Sequence, residues 1–303
     1  MSKFRVSTEP GRYECIRTRM RWVCDCDVTL QYHVVDARSL NAQLENLKCD
    51  RVGPVIDVTV ISGELEEVHL PHCVCLGNDD PSLKDAVKAI SIKDEGTYEE
   101  PVQLTRFHAK IVHPSFSLKT LILRLIRRWN AHCDLLMYMS SKDPLILHVY
   151  FFPFDDHLKN AVEKEEKSSY PVKHPRPDKP FRMKTAHFLN VPGASVHPKE
   201  GITLRRDIKP NYFKVKMRLE NDLEMTLIRD EEQNTVWTAE PQRRITMKRF
   251  QLYHKNQPAN IDKLNENGDT DDHNIIKSSR RVIASSSSIR QLSTFPTMVQ
   301  GAI

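Results

Sequence analysis

Up to about position 241, short apolar runs alternate with polar residues and are broken by turn-forming segments. "RMRWVCDCDVTLQYHVV" (19–35) is rich in β-branched and aromatic residues. As a single strand it places Val23, Asp25 and Asp27 on one face and Cys24, Cys26 and Val28 on the other. "GPVIDVTVIS" (53–62), "EVHLPHCVCL" (67–76) and "VQLTRFHAKIVH" (102–113) repeat the signal, separated by turn-like "GNDDPS" and "KDEGTYEEP". Strands at this spacing predict an antiparallel sandwich rather than β–α–β units.

From Ser117 the pattern restarts. "LKTLILRLIRRW" (118–129) fits either a strand or a helix, whereas "DLLMYMSS" (134–141) and "LILHVYFFPF" (145–154) read as strands joined by a short turn. "DDHLKNAVEKEEK" (155–167) predicts a helix capped by Asp155 or Asp156, with Leu158, Ala161 and Val162 as its apolar stripe. The proline-rich "YPVKHPRPDKP" (170–180) predicts an extended surface linker. Further strands are expected in "RMKTAHFLNV", "GITLRR", "YFKVKMRL", "LEMTLIRD" and "NTVWTAEP". The fold expected is all-β: two consecutive antiparallel β-sandwich modules with one short helix, at 1–116 and 117–242. Residues 243–303 are polar and low in complexity. A mostly disordered tail is expected there, because ordering costs about 1–2 kcal/mol per residue and little apolar area is available to offset it. Its "RRVIAS" is a candidate kinase site.

Composition narrows the function classes. The 303 residues carry a net charge of +5 and nine glycines, which argues against a dedicated nucleic-acid binder and against Gly-rich phosphate loops. The basic stretches "RTRMR", "RLIRRW" and "RRITMKR" read as solvated charge. No apolar run is long enough to span a bilayer, the N-terminus lacks an apolar signal region, and the seven unevenly spaced cysteines are expected to be reduced thiols of a cytoplasmic protein. Nucleotide loops, the His-Glu-x-x-His metalloprotease motif and nucleophile elbows are absent from the sequence.

Two places carry candidate chemistry. "HLPHCVC" gathers His69, His72, Cys73 and Cys75, residues of zinc-ligand type. On a strand, however, His72 points away from the other three, and buried cysteines commonly act as small hydrophobes. Neither a metal nor a cofactor is expected. The second place is "HPSFSL" (113–118), where an aromatic precedes a serine at the handover between the two patterns. Cleavage there requires the Ser117 hydroxyl to attack the Phe116 carbonyl, a base to take its proton, and a stabiliser for the oxyanion. An inert strand serine is the plainer reading of the same step.

The ordered series "GPVIDV", "GELEEVHLPHCVCL", "KDEG", "VHPSFSL", "LILHVYFFPFDDHLKNAVEKEE" and "NTVWTAEP" resembles the function-to-find domain (FIIND) of NLR and CARD-containing inflammasome sensors. The resemblance spans residues 12–242 and implies a ZU-type sandwich followed by a UPA sandwich. It further implies intramolecular cleavage between Phe116 and Ser117, with the halves staying associated. The partners it implies are related FIIND or UPA chains, dipeptidyl peptidases and caspase-recruiting CARD proteins.

This sequence departs from the family pattern twice. Ser91 stands where the family's cleavage histidine precedes the "KDEG" stretch. The supporting glutamate falls at Glu99 or Glu100, with Glu99 as the first choice, and His108 or His113 is the substitute base. Loss of a general base costs about 100- to 10,000-fold. No death-fold pattern follows in 243–303: a complete chain is expected to lack the effector, and the other expectation is a fragment of a longer product. The alternative function is a non-proteolytic ZU–UPA scaffold, decoy or regulator.

Overall fold

The computed structural model describes residues 3–36, 44, 48–77, 81–93, 96–114, 118–124, 129–206, 210–218, 223–229, 234–240, 253 and 289–292. Phe116, Ser117, "RRVIAS" and most of 243–303 lie outside the described residues. The fold is all-β, and among the described residues every strand pairing is antiparallel.

The N-terminal sandwich opposes two sheets. The first runs Phe4–Thr8, Val28–Val34, Ile56–Ser62, Leu118–Arg124, Val87–Lys93, Gly96–Glu100, with Cys49–Arg51 also on Leu118–Arg124. The second runs Gln103–Leu104, His108–Val112, Glu67–Pro71, Arg21–Cys24, Gly11–Cys15, Ile289–Gln291. Between them lie Trp22, Tyr32, Leu30, Met20, Ile56 and Leu70, all but excluded from water. Tyr13 and Phe4 stack on the Trp22–Tyr32 pair. Aromatics of this size bury 150–250 Å² each and dominate a sandwich interior.

The second sandwich follows the same logic. One sheet is Tyr170–Pro171, Cys133–Lys142, Leu145–Pro153, Tyr212–Met217, Ser195–His197; the other is Ile202–Thr203, Ala186–Asn190, Met225–Arg229, Asn234–Ala239. Phe151 is its centre, stacked on Phe213 and edge-on to Phe181. The helix Asp156–Glu165 is capped by Asp155, whose side chain accepts from the His157 amide. Val162 is its one buried side chain, packed with Tyr138, Tyr150 and Phe152.

Several expectations are corrected. The run 19–35 is two strands, not one: the chain leaves Arg21–Cys24 in the second sheet and enters Val28–Val34 in the first, crossing at Asp25–Asp27. Uniform alternation cannot hold across such a corner, and all four residues of Arg21–Cys24 are buried. "KDEGTYEEP" is not only a turn, since Val87–Lys93 and Gly96–Glu100 form a hairpin around it. The run 118–129 opens as a strand, and it hydrogen-bonds inside the first sheet. Within the tail, Ile289–Gln291 pairs with Gly11–Cys15, and Tyr253 rests edge-on against Tyr170.

"HLPHCVC" turns out to be where the sandwiches meet. The strand ends at Pro71, after which Val74 bridges Ala131, Cys75 donates its amide to Asn130 and His132 donates to the Cys73 carbonyl. Arg206 crosses the contact: its guanidinium donates to Asp155 at 2.6 Å and to Cys73 Sγ at 3.2 Å, while its carbonyl accepts from Arg51 at 3.3 Å. Asp50 closes the other side, accepting from Trp129 Nε1 at 3.0 Å and pairing with Lys184 at 2.7 Å. Both Arg206 and Asp155 are buried at the side chain, so removing the cation strands a carboxylate away from water. Arg206→Ala is expected to cost about 3–5 kcal/mol in urea unfolding followed by tryptophan fluorescence.

Candidate functional site

The strand Leu118–Arg124 starts directly after the predicted scissile step. It is paired on both sides, with Val87–Lys93 on one and Ile56–Ser62 and Cys49–Arg51 on the other. Its register puts Lys119 opposite Ser91, and the hairpin register puts Ser91 opposite Tyr98 and Ala89 opposite Glu100. Side chains alternate along strands, so Ser91, Lys119 and Glu100 share one face while Glu99 takes the other.

The polar groups on that face converge. Lys119 Nζ donates to Ser91 Oγ at 2.5 Å and to Glu100 Oε1 at 2.6 Å, and the Ser91 hydroxyl donates to the same carboxylate. Lys119 is 1% exposed and Ser91 fully buried. The position expected to lack its histidine is therefore occupied by a compact cation–hydroxyl–carboxylate cluster. In it Lys119 donates to both partners, the Glu100 carboxylate accepts from both, and the Ser91 hydroxyl links them. Glu99 instead pairs with Arg124 on the exposed face.

His108 lies in the opposite sheet. Its Nε2 donates to the Arg19 carbonyl at 2.9 Å, and burial, followed by the nearby Arg21 cation, lowers its pKa to about 3. His113 has a left-handed backbone (φ 46°) and donates its amide to Glu66. The histidines of "HLPHCVC" are engaged locally: His69 with Glu67 at 2.9 Å, and His72 Nε2 with the Thr105 carbonyl at 3.0 Å. Among the described residues, no group of three or more His, Cys, Asp or Glu is arranged to hold a metal ion. All seven cysteines are free thiols. In "RTRMR", Arg19 and Arg21 turn inward onto Glu14, so part of that basic stretch is neutralised inside the fold. No helix among the described residues is long and apolar enough to cross a membrane.

Comparison with known families gives two adjacent matches. The family described as "Function to find" covers residues 1–129, and the "UPA-FIIND domain" covers 131–241. This chain belongs to the FIIND family. The FIIND chain is 53% identical over 237 residues to a "NACHT, LRR and PYD domains-containing protein 1 homolog" of Danio rerio, covering 78% of this chain and 17% of that protein. It is 28% identical over 158 residues to "Caspase recruitment domain-containing protein 8" of Homo sapiens, 49% of this chain and 29% of that protein. A "NACHT, LRR and PYD domains-containing protein 1b allele 1" of Mus musculus matches at 26% over 166 residues, 52% of this chain and 13% of that protein. The FIIND chain thus spans less than a third of each of these relatives.

Sequence reasoning missed Lys119 and Arg206. The signal for Lys119 was a lone cation in "LKTLIL", an otherwise inward-facing run. Arg206 left none, because its importance depends on a contact with Cys73 and Asp155 far away in the chain.

Proposed function

We propose that this FIIND chain is a cytosolic protein-interaction module of innate-immune, inflammasome-type signalling, which cuts itself between Phe116 and Ser117 and holds the pieces together. The supporting observation is the strand Leu118–Arg124, hydrogen-bonded on both sides within a sheet whose other strands all precede Ser117. A cut at 116/117 divides the covalent chain but leaves that strand in its sheet. The pieces 1–116 and 117–303 are then products of the cut rather than separately folded sheets.

The step balances as an N-to-O shift. Ser117 Oγ adds to the Phe116 carbonyl, the C–N bond breaks, and the serine nitrogen takes up a proton. Water then hydrolyses the ester, leaving a carboxylate on Phe116 and a free amino terminus on Ser117. With Ser91 in the histidine's position, Glu100 accepts the proton through the Ser91 hydroxyl, and Lys119 offsets the developing negative charge. A carboxylate is a weaker base than imidazole, so the reaction is slow.

A denaturing gel of the full chain tests this. Two fragments are expected, the larger beginning at Ser117 by N-terminal sequencing, and Ser117→Ala leaves one band. A single band in the aged wild-type chain overturns self-cleavage. That outcome leaves the second reading, a non-proteolytic scaffold or decoy built on the same fold, which the replacement of histidine by Ser91 favours. The partners proposed are other FIIND or UPA chains, dipeptidyl peptidases and CARD proteins that recruit caspases.

A further inference from the structure

The second sheet of the N-terminal sandwich ends on Gly11–Cys15, and the strand that completes it comes from the far end of the chain. Tyr13 pairs with Gln291, Glu14 with Arg290 and Cys15 with Ile289, and the Leu292 amide donates to the Arg12 carbonyl at 2.8 Å. An uncovered edge presents a row of unpaired backbone groups and invites another strand. Three residues of isolated strand do not hold themselves in place, so the edge must supply the recognition.

Its features fit an arginine-bearing segment. Glu14 is completely buried, and three arginines stand against its carboxylate: Arg290 Nη2 lies 2.9 Å from Oε2, Arg21 Nε 3.1 Å from the same oxygen, and Arg19 Nη1 2.8 Å from Oε1. Bonds to an ionised carboxylate are the strong class of hydrogen bond and favour the planar guanidinium. Ile289, directly opposite Cys15, packs against the sandwich core. Gly11 leaves room at the other end, where an added Cβ would stand 3.1 Å from the Gln291 side-chain nitrogen Nε2.

We propose that the Gly11–Cys15 edge is a docking site for an extended apolar–arginine–polar–apolar segment, filled in cis by Ile289–Leu292, and that this segment is a second tether between the two cleavage products. The docking stands independently of cleavage; the tether role rests on the proposed function. Tethering within one chain raises the local concentration of the segment to about the millimolar range, enough to seat a weak strand. Its consequence is symmetrical. Each sheet of the first sandwich contains one strand from beyond Ser117, Leu118–Arg124 in one and Ile289–Gln291 in the other. Loss of either strand leaves the fragment held by the remaining one.

Hydrogen exchange on the full chain, wild type against Arg290→Glu, tests the docking. Amide exchange across Gly11–Cys15 is expected to rise about ten- to a hundredfold, the loss of a charged hydrogen-bond partner, while Leu118–Arg124 keeps its protection. Unchanged exchange at Gly11–Cys15 overturns the proposal. Ile289→Cys supplies an independent reading, since it places a thiol opposite the native Cys15 at a separation suited to a disulfide. Mild oxidation is expected to yield a cross-linked monomer, with the 15–289 bridge located by peptide mass mapping and absent when Cys15→Ser is added. Cross-linked dimers, or no bridge, overturn docking in cis. The tether is read separately in cut protein, where Arg290→Glu is expected to speed fragment dissociation by about tenfold or more; an unchanged rate overturns it. If the chain does not cut itself, a site-specific protease sequence inserted between Phe116 and Ser117 makes the cut. Failure of self-cleavage and failure of the tether are thereby told apart.

Discussion

Histidine at position 91, combined with Lys119→Leu, is expected to accelerate separation at Phe116–Ser117 by about 100- to 10,000-fold, the range that a positioned general base contributes. Both changes are needed. Lys119 Nζ stands 2.5 Å from Ser91 Oγ and fills the space an imidazole must enter, so Ser91→His alone crowds a fully buried site. With the lysine gone, Glu100 is left facing residue 91 and can orient the new ring, as a carboxylate does for the imidazole of a serine-protease triad. Lys119→Leu alone removes the cation without adding a base and is expected to give no gain. Densitometry of fragments against time after synthesis measures the rates. Equal rates for the double variant and the wild type would show that position 91 is not where the base belongs.

Lowering the pH from 7.5 to 5 is expected to remove about 6 kcal/mol of folding stability, roughly 2 kcal/mol from each of three buried histidines. Burial is the main cause in all three, lowering His72 and His187 to about 4 and His108 to about 3. In the unfolded chain each titrates near 6.5. Between about 6.5 and 4 the unfolded state therefore binds protons that the folded state does not. Stability from this source is complete above that window and declines as pH falls through it. A loss of this size is comparable to the whole stability of many domains. Urea unfolding at the two pH values checks it. His108→Gln, which retains a donor for the Arg19 carbonyl, is expected to shrink the difference by about a third. Identical midpoints at both pH values would contradict the neutral, desolvated state of these rings.

What the sequence disclosed depended on how locally each feature is determined. "LILHVYFFPF" announces a buried central strand by itself, and Leu145–Pro153 is one. "DD" at 155–156 announces a cap without choosing between the two residues, and Asp155 is the one that caps. The corner at Asp25–Asp27 was hidden because alternation continues through it while the chain changes sheets. The choice between Glu99 and Glu100 turned on parity: a shift of one residue moves a side chain to the opposite face, and only the register with Val87–Lys93 fixes it. Gly96–Glu100 resembled a turn because it is an edge strand, polar and mostly exposed. The tail strand was illegible for a different reason. "IRQ" has no pattern of its own, and its conformation is borrowed from an edge nearly the whole length of the chain away.

The order of strands in the first sheet also dictates how the molecule yields to force. Phe4–Thr8 is the outermost strand on one flank, followed inward by Val28–Val34 and Ile56–Ser62, with Leu118–Arg124 fourth. A motor that grips the N-terminus peels these one after another, like the slats of a blind. Stripping those three rows still leaves Leu118–Arg124 paired with Val87–Lys93, so if the chain is cut at 116/117 the downstream piece comes free only once that hairpin is drawn out too, a delayed, threshold response to sustained pulling rather than to a brief tug.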